Sequence, residues 1–138
     1  MPEAQLPLPP LDDINRPWFS ALREGELRIQ QCESCHRLRH TPRPMCPWCN
    51  SMTYGWEPMC GRGRIWSFVI AHPPVLPVFA ERVPMPVAFV ELEEDRRIRV
   101  VGDMEPGTDT ARIAIGAPVR AVFDAVTDDI GIIRWRLE

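Results

Sequence analysis

Four of the five cysteines stand in two Cys-x-x-Cys pairs, Cys32 with Cys35 and Cys46 with Cys49, ten residues apart. This spacing suits a tetrahedral ion: each pair wraps a tight turn around one side of the metal, and the segment between them folds back to present the second pair. The segment "HRLRHTPRPM" is long enough for a strand out, a turn at Pro42 and Pro44, and a return. Four thiolates leave no open position for water or substrate, so the expected ion is structural zinc without chemistry of its own. A disulfide reading lacks any sign of export, and no βαβ pattern supports a thioredoxin-like one. Iron in the same four-sulfur cage stays open as an electron-carrier alternative. Rubredoxin-type knuckles usually place glycine where this chain has His36 and Asn50. Asparagine tolerates the left-handed backbone of such a turn more readily than histidine. His36 and His40 could substitute as ligands, but a closed all-thiolate set makes them surface residues.

Other reactive groups are sparse. Cys60 and His72 bracket one strand candidate, which puts them about 40 Å apart if that strand is straight. They do not make a nucleophile and base, and Cys60 reads as a small buried residue or a bystander to the ribbon. The acidic run Glu91 to Asp95 falls at a hairpin tip, where a solvated turn is the simpler reading than a carboxylate pair. Arg62 and Arg64 leave a glycine-flanked strand start, and guanidinium suits phosphate oxygens. Trp66 and Phe68 follow at period two on the same face. Alternation of this kind favours burial in a core. If the face points outward, Arg62, Arg64, Trp66 and Phe68 make a platform for an adenine ring and its phosphates. The long apolar loop carrying Val75, Leu76, Val78, Phe79, Val83 and Met85 is more than a small barrel can bury. It is expected to be a partner interface, or else to fold back over the ribbon.

The elements that must position these groups follow from pattern. In "NRPWFSALREGELRIQQ", Asn15 can cap a helix, Pro17 sits in its first turn and Gly25 ends it, with Trp18, Leu22 and Phe19 on the apolar side. Leu27 and Ile29 alternate into a short strand ahead of Cys32. After the cysteines come five strand candidates: "GRGRIWSFVIAH" from Gly61, "PVAFVELEE" from Pro86, "RRIRVVGD" from Arg96, "PVRAVFDAV" from Pro118 and "GIIRWRLE" from Gly131. Turns are expected near Glu94 and Asp95 and at Asp128 and Asp129. Five short strands, with a loop-rich interval "MEPGTDTARIAIG" before the fourth, fit a Greek-key barrel of the OB type. The expected organisation is a mainly β chain: helical arm and lead-in strand over 1–31, zinc ribbon over 32–60, OB-fold over 61–138. Sixteen prolines, about twice average usage, favour short strands and stiff loops. A net charge of −3 and the absence of lysine argue against a nucleic-acid groove. The proline-broken start "MPEAQLPLPPLDD" is unlike a secretory signal, and no uninterrupted apolar run of about 18 residues offers a membrane span, so a cytoplasmic protein is expected.

With "GEL" at Gly25, "TPRPMCPWC" at the second knuckle, "GRGR" at Gly61 and "GAPV" at Gly116, the chain resembles the domain-of-unknown-function thirty-five family from about Pro17 to Leu137. The resemblance implies a rubredoxin-like zinc ribbon joined to an OB-fold. It implies a scaffold subunit held in a hetero-oligomer with a thiolase-like, aldolase or hydratase enzyme of acyl-CoA chemistry, with coenzyme A shared across the complex. The partner would then supply nucleophile and acid–base groups. The acyl substrate stays open, steroid side chain and fatty acid included. The competing expectation is a single-stranded nucleic-acid-binding OB-fold.

Overall fold

The computed structural model describes residues 5–138; the first four residues of the proline-broken start lie outside it. Helix α1 spans Arg16–Arg23 behind Pro17. Asn15 occupies the N-cap position, but its side chain turns back, its Oδ1 accepting the Asp12 N–H at 2.9 Å. Gly25, at φ +81°, closes the helix. Its N–H donates to the Leu22 carbonyl and the Glu26 N–H to that of Ala21, a Schellman motif. The chain then runs straight into β1, Leu27–Cys32.

β1 is the middle strand of a three-stranded antiparallel sheet, between β2 (Leu38–Arg39) and β3 (Tyr54–Met59). The return expected between the knuckles does not form a strand there. Pro42 and Pro44 have no N–H to donate to a ladder. The partner of β1 comes instead after the second knuckle, with Leu27 opposite Met59 and Cys32 opposite Tyr54.

The remaining strands are β4 (Arg62–Ala71), β5 (Met85–Leu92), β6 (Arg99–Met104), β7 (Pro118–Ala125) and β8 (Gly131–Leu137). They close into a barrel in the order β4-β5-β6-β8-β7. The β6–β8 pairing is parallel and short, Asp103 opposite Arg134 and Met104 opposite Trp135, as an OB-type Greek key requires. The interval before β7 carries a single 3-10 turn, Thr110–Arg112, capped by Asp109. Behind it Ile113 is buried in the core.

One apolar cluster joins both parts. Trp18 and Leu22 of α1 and Leu27 and Ile29 of β1 pack with Ile65, Val90, Val100, Val119, Ile133 and Trp135 of the barrel. The closest approach is at Gly131, where a Cβ would lie 2.2 Å from the Arg23 nitrogen and 2.3 Å from the Leu22 carbonyl carbon. The helix backbone rests on β8 there, which no side chain would permit. No helix among the described residues is long and apolar enough to cross a membrane.

Candidate metal centre and ligand surfaces

The sulfurs of Cys32, Cys35, Cys46 and Cys49 all lie within 4.8 Å of one another. Cys32 meets Cys49 and Cys35 meets Cys46 at 3.6 Å each. The two knuckles share a backbone pattern. The His36 N–H donates to the Cys32 carbonyl at 3.0 Å and the Asn50 N–H to the Cys46 carbonyl at 2.9 Å. Those bonds need a left-handed residue at each turn, and both positions supply one, His36 at φ 62° and Asn50 at φ 61°. The histidine therefore adopts the conformation despite its Cβ. The electrostatics of four adjacent sulfurs favours a cation among them. The Cys35 N–H, ahead of other backbone and sulfur hydrogen bonds, draws the Cys32 thiol down to about 6. The Ser51 N–H pulls Cys49 down as well, yet desolvation and the other three sulfurs push it up to about 11. A divalent ion lets all four ionise together.

His36 is exposed as expected, whereas His40 is not a free surface residue. Its ring packs on Trp18 with centroids 4.6 Å apart, and burial lowers it to about 4. Neither histidine belongs to the four-sulfur group.

Sequence reasoning passed over Gln30 and Arg39, both buried beneath the inter-knuckle loop. Gln30 Oε1 accepts from Arg39 Nε at 2.6 Å and from the Arg43 N–H at 2.8 Å, while its Nε2 donates to the Arg43 carbonyl at 2.9 Å. Arg39 Nη2 reaches the same carbonyl at 3.0 Å. This network holds the proline-rich loop against β1. By alternation Gln30 falls on the face opposite Leu27 and Ile29, where a polar residue gives no sign of burial.

Cys60 is exposed, contrary to the buried reading, and lies in the short link between β3 and β4. Its Sγ lies 3.4 Å from carboxylate oxygens of Glu93 and Glu94. Desolvation and then those acids raise its pKa, the opposite of an activated nucleophile. His72 lies beyond the far end of β4. Glu93 to Asp95 form the β5–β6 turn while Glu91 lies within β5; Arg96 pairs with Glu91 at 2.9 Å and Arg97 with Asp95 at 3.0 Å.

Arg62, Arg64 and Trp66 face outward, so the favoured core reading does not hold for them. Gly63 and Ile65 take the inward positions instead. A bulge between Ile65 and Ser67 then breaks the alternation, and Phe68 alone of the four packs against the core. Arg62 and Arg64 line a pocket of about 340 Å³ with Arg96, Glu91, Glu93 and Glu138. Trp66 stands apart from it, 45% exposed, with the Arg99 guanidinium 3.8 Å over its ring and Phe89 6.2 Å away. In the apolar loop Leu76 is exposed, and Val75, Val78, Phe79, Val83 and Met85 are half-buried. Phe79 and Met85 turn toward α1 and the ribbon, lining a groove with Trp18 and His40.

A four-sulfur ribbon fused to a closed five-stranded OB barrel defines the class: a zinc-ribbon OB protein. Residues 19–52 match the family described as ChsH2, rubredoxin-like zinc ribbon domain, and residues 56–124 match ChsH2, C-terminal OB-fold domain. The chain belongs to this ChsH2-type, domain-of-unknown-function-35 family. It is 38% identical over 120 residues, 86% of its length, to the "Probable enoyl-CoA hydratase alpha subunit" of Thermomonospora curvata. That match spans 35% of the relative, so the chain corresponds to about a third of such proteins. It is 30% identical to a "DUF35 domain-containing scaffold protein" of Methanocaldococcus jannaschii, covering 72% of this chain and 68% of that one. Among solved structures, a chain of the "Ltp2-ChsH2(DUF35) aldolase" superposes with a TM-score of 0.84 at 33% identity, covering 94% of this chain and 98% of the other.

Proposed function

We propose that this chain is a non-catalytic, zinc-stabilised scaffold subunit of a cytoplasmic acyl-CoA-processing complex, assembled with a thiolase-like, aldolase or hydratase enzyme. The observation that carries the reading is the end-to-end likeness to the DUF35 chain of a structure named as an aldolase, joined to relatives named as a scaffold and as a hydratase subunit. The donor chemistry agrees: four thiolates around one ion form a coordinatively closed set that holds a fold and activates nothing. Desolvation and then its carboxylate neighbours raise the one other thiol, Cys60, away from the thiolate.

Cys32, Cys35, Cys46 and Cys49 hold the zinc. The loop carrying Val75, Leu76, Val78, Phe79, Val83 and Met85 meets the enzyme partner. Leu76, 55% exposed, is its most available anchor. Coenzyme A, if shared with the partner, would set its phosphates against Arg62 and Arg64, with Trp66 offering a stacking face nearby. The outward Trp66 also suits single-stranded nucleic acid, but the glutamates around the arginine pocket repel a polyanion.

Co-expression with the adjacent thiolase-like, aldolase or hydratase gene, followed by gel filtration, tests the reading. Co-elution is expected, with loss on Leu76→Asp and on Cys46→Ser, and a raised KM for the acyl-CoA in Arg62→Ala/Arg64→Ala. A monomer indifferent to the enzyme and to coenzyme A, or thioester turnover by the chain alone, would refute it. Salt-dependent micromolar binding to an oligonucleotide would favour the nucleic-acid alternative.

A further inference from the structure

We infer that the groove between α1 and the barrel binds an uncharged, hydrocarbon-rich small molecule, with one polar atom of that molecule paired to His40. The groove measures about 810 Å³, within the range of small-molecule sites of about 300–1,000 Å³. Its walls are Trp18 and Phe19 of α1, Phe79 of the apolar loop, Met85 at the head of β5 and Ile133 of β8, with the proline-rich arm 6–10 along the rim. Stretches of chain far apart in sequence thus surround one concavity. A folded partner needs a broad footprint of about 800 Å² per side, which favours a small ligand as the occupant.

Charge accounting fixes the ligand class. Arg82 pairs with Asp103, Asp103 also takes Arg134 at 3.3 Å, and Arg134 pairs with Asp124, two arginines against two aspartates. The Asp12 carboxylate accepts the N–H groups of Ile14 and Asn15 at 2.9 and 2.7 Å, and the Asn15 amide donates to the Pro10 carbonyl at 3.0 Å. An anionic ligand would meet no free cation among the described residues and would lose its hydration, and the unpaired carboxylate, Asp12, is exposed to solvent. His40 is different. Among the described residues neither ring nitrogen has a hydrogen-bond partner, while the ring sits in the groove wall against Trp18. A neutral imidazole offers one N–H and one lone pair, enough to hold a single carbonyl or hydroxyl. The sulfur cage and Leu76 take no part, whereas Phe79 and Met85 belong to the loop read as the partner face, so the chain without its partner is the form that tests the groove.

The test uses the full zinc-loaded chain alone and prodan, an uncharged naphthalene ketone whose emission reports on its carbonyl. Saturable one-to-one binding with Kd of about 1–10 μM is expected. Phe79→Arg, which drives a charge into the wall, should weaken it at least about tenfold. His40→Ala should weaken it about three- to tenfold and shift bound emission to the blue, because the carbonyl loses its donor. Leu76→Arg, outside the groove, should change nothing. Phe79→Ser keeps the comparison intact where arginine disturbs folding, as judged by zinc content and circular dichroism. No saturation at about 100 μM, equal losses in the Phe79 and Leu76 variants, or an unaltered His40→Ala would overturn the inference. Laurate binding as tightly as prodan at the same residues would overturn the uncharged class.

Discussion

His36 and Asn50 fold their knuckles with left-handed backbones, but a Cβ makes that conformation costlier for histidine than for glycine, by about 1–2 kcal/mol. His36→Gly should therefore raise stability by up to about 1 kcal/mol, after the greater flexibility of glycine in the unfolded chain is deducted. Asn50→Gly should gain less, and urea midpoints of the two variants would show the ordering. Gln30 poses the reverse case. Gln30→Leu would leave the buried Arg39 charge and the Arg43 N–H without their acceptor. A loss of about 2–4 kcal/mol is expected, with the inter-knuckle loop exchanging its amide hydrogens faster. His40 gives a pH dependence. Its folded pKa of about 4 lies below the ordinary 6.5, so below pH 6.5 the unfolded chain takes up a proton that the folded chain refuses. Stability then falls as pH drops from 6.5 towards 4, by on the order of 2–3 kcal/mol. Subtracting the pH profile of His40→Phe from that of the wild type isolates the contribution from acid loss of the metal.

At the level of elements, Gly131 is the tightest joint, because α1 crosses β8 at a distance no side chain allows. Gly131→Ala should cost at least about 1–3 kcal/mol and lift the helix off the barrel, visible as a change in Trp18 fluorescence. The five barrel strands were legible because β-branched and aromatic residues alternate between clear turns, and the four cysteines were legible because metal geometry dictates their spacing. β3 was not, since Gly55 and Pro58 interrupt the alternation that marks a strand. The bulge after Ile65 was invisible too. An extra residue changes which face Phe68 takes without altering composition, so one outward platform became two surfaces. Gln30 and Arg39 illustrate a third limit: a buried polar pair is recognisable only when both ends of its network are in view.

For the molecule as a whole, the ribbon and the barrel share one apolar cluster through α1 and β1. Metal loss should therefore spread beyond the cysteines. Structural zinc contributes about 10–16 kcal/mol in small ribbons, comparable to the whole stability of a domain of this size. One zinc per chain is expected by elemental analysis, and Cys46→Ser should abolish it together with cooperative thermal unfolding. Survival of a sharp transition in that variant would mean the barrel stands alone.

The strand that seats α1, β8, is also the one that completes the ring of five, and it lies latest in chain order. During synthesis the cysteine knuckles emerge early and can capture their ion while the barrel is still an open sheet with bare edges. Until β8 leaves the ribosome, the nascent chain presents α1's apolar side and those edges to its surroundings. Its vulnerability to aggregation is thus concentrated in the interval before β8 emerges, and a slow codon just before Gly131 would prolong it.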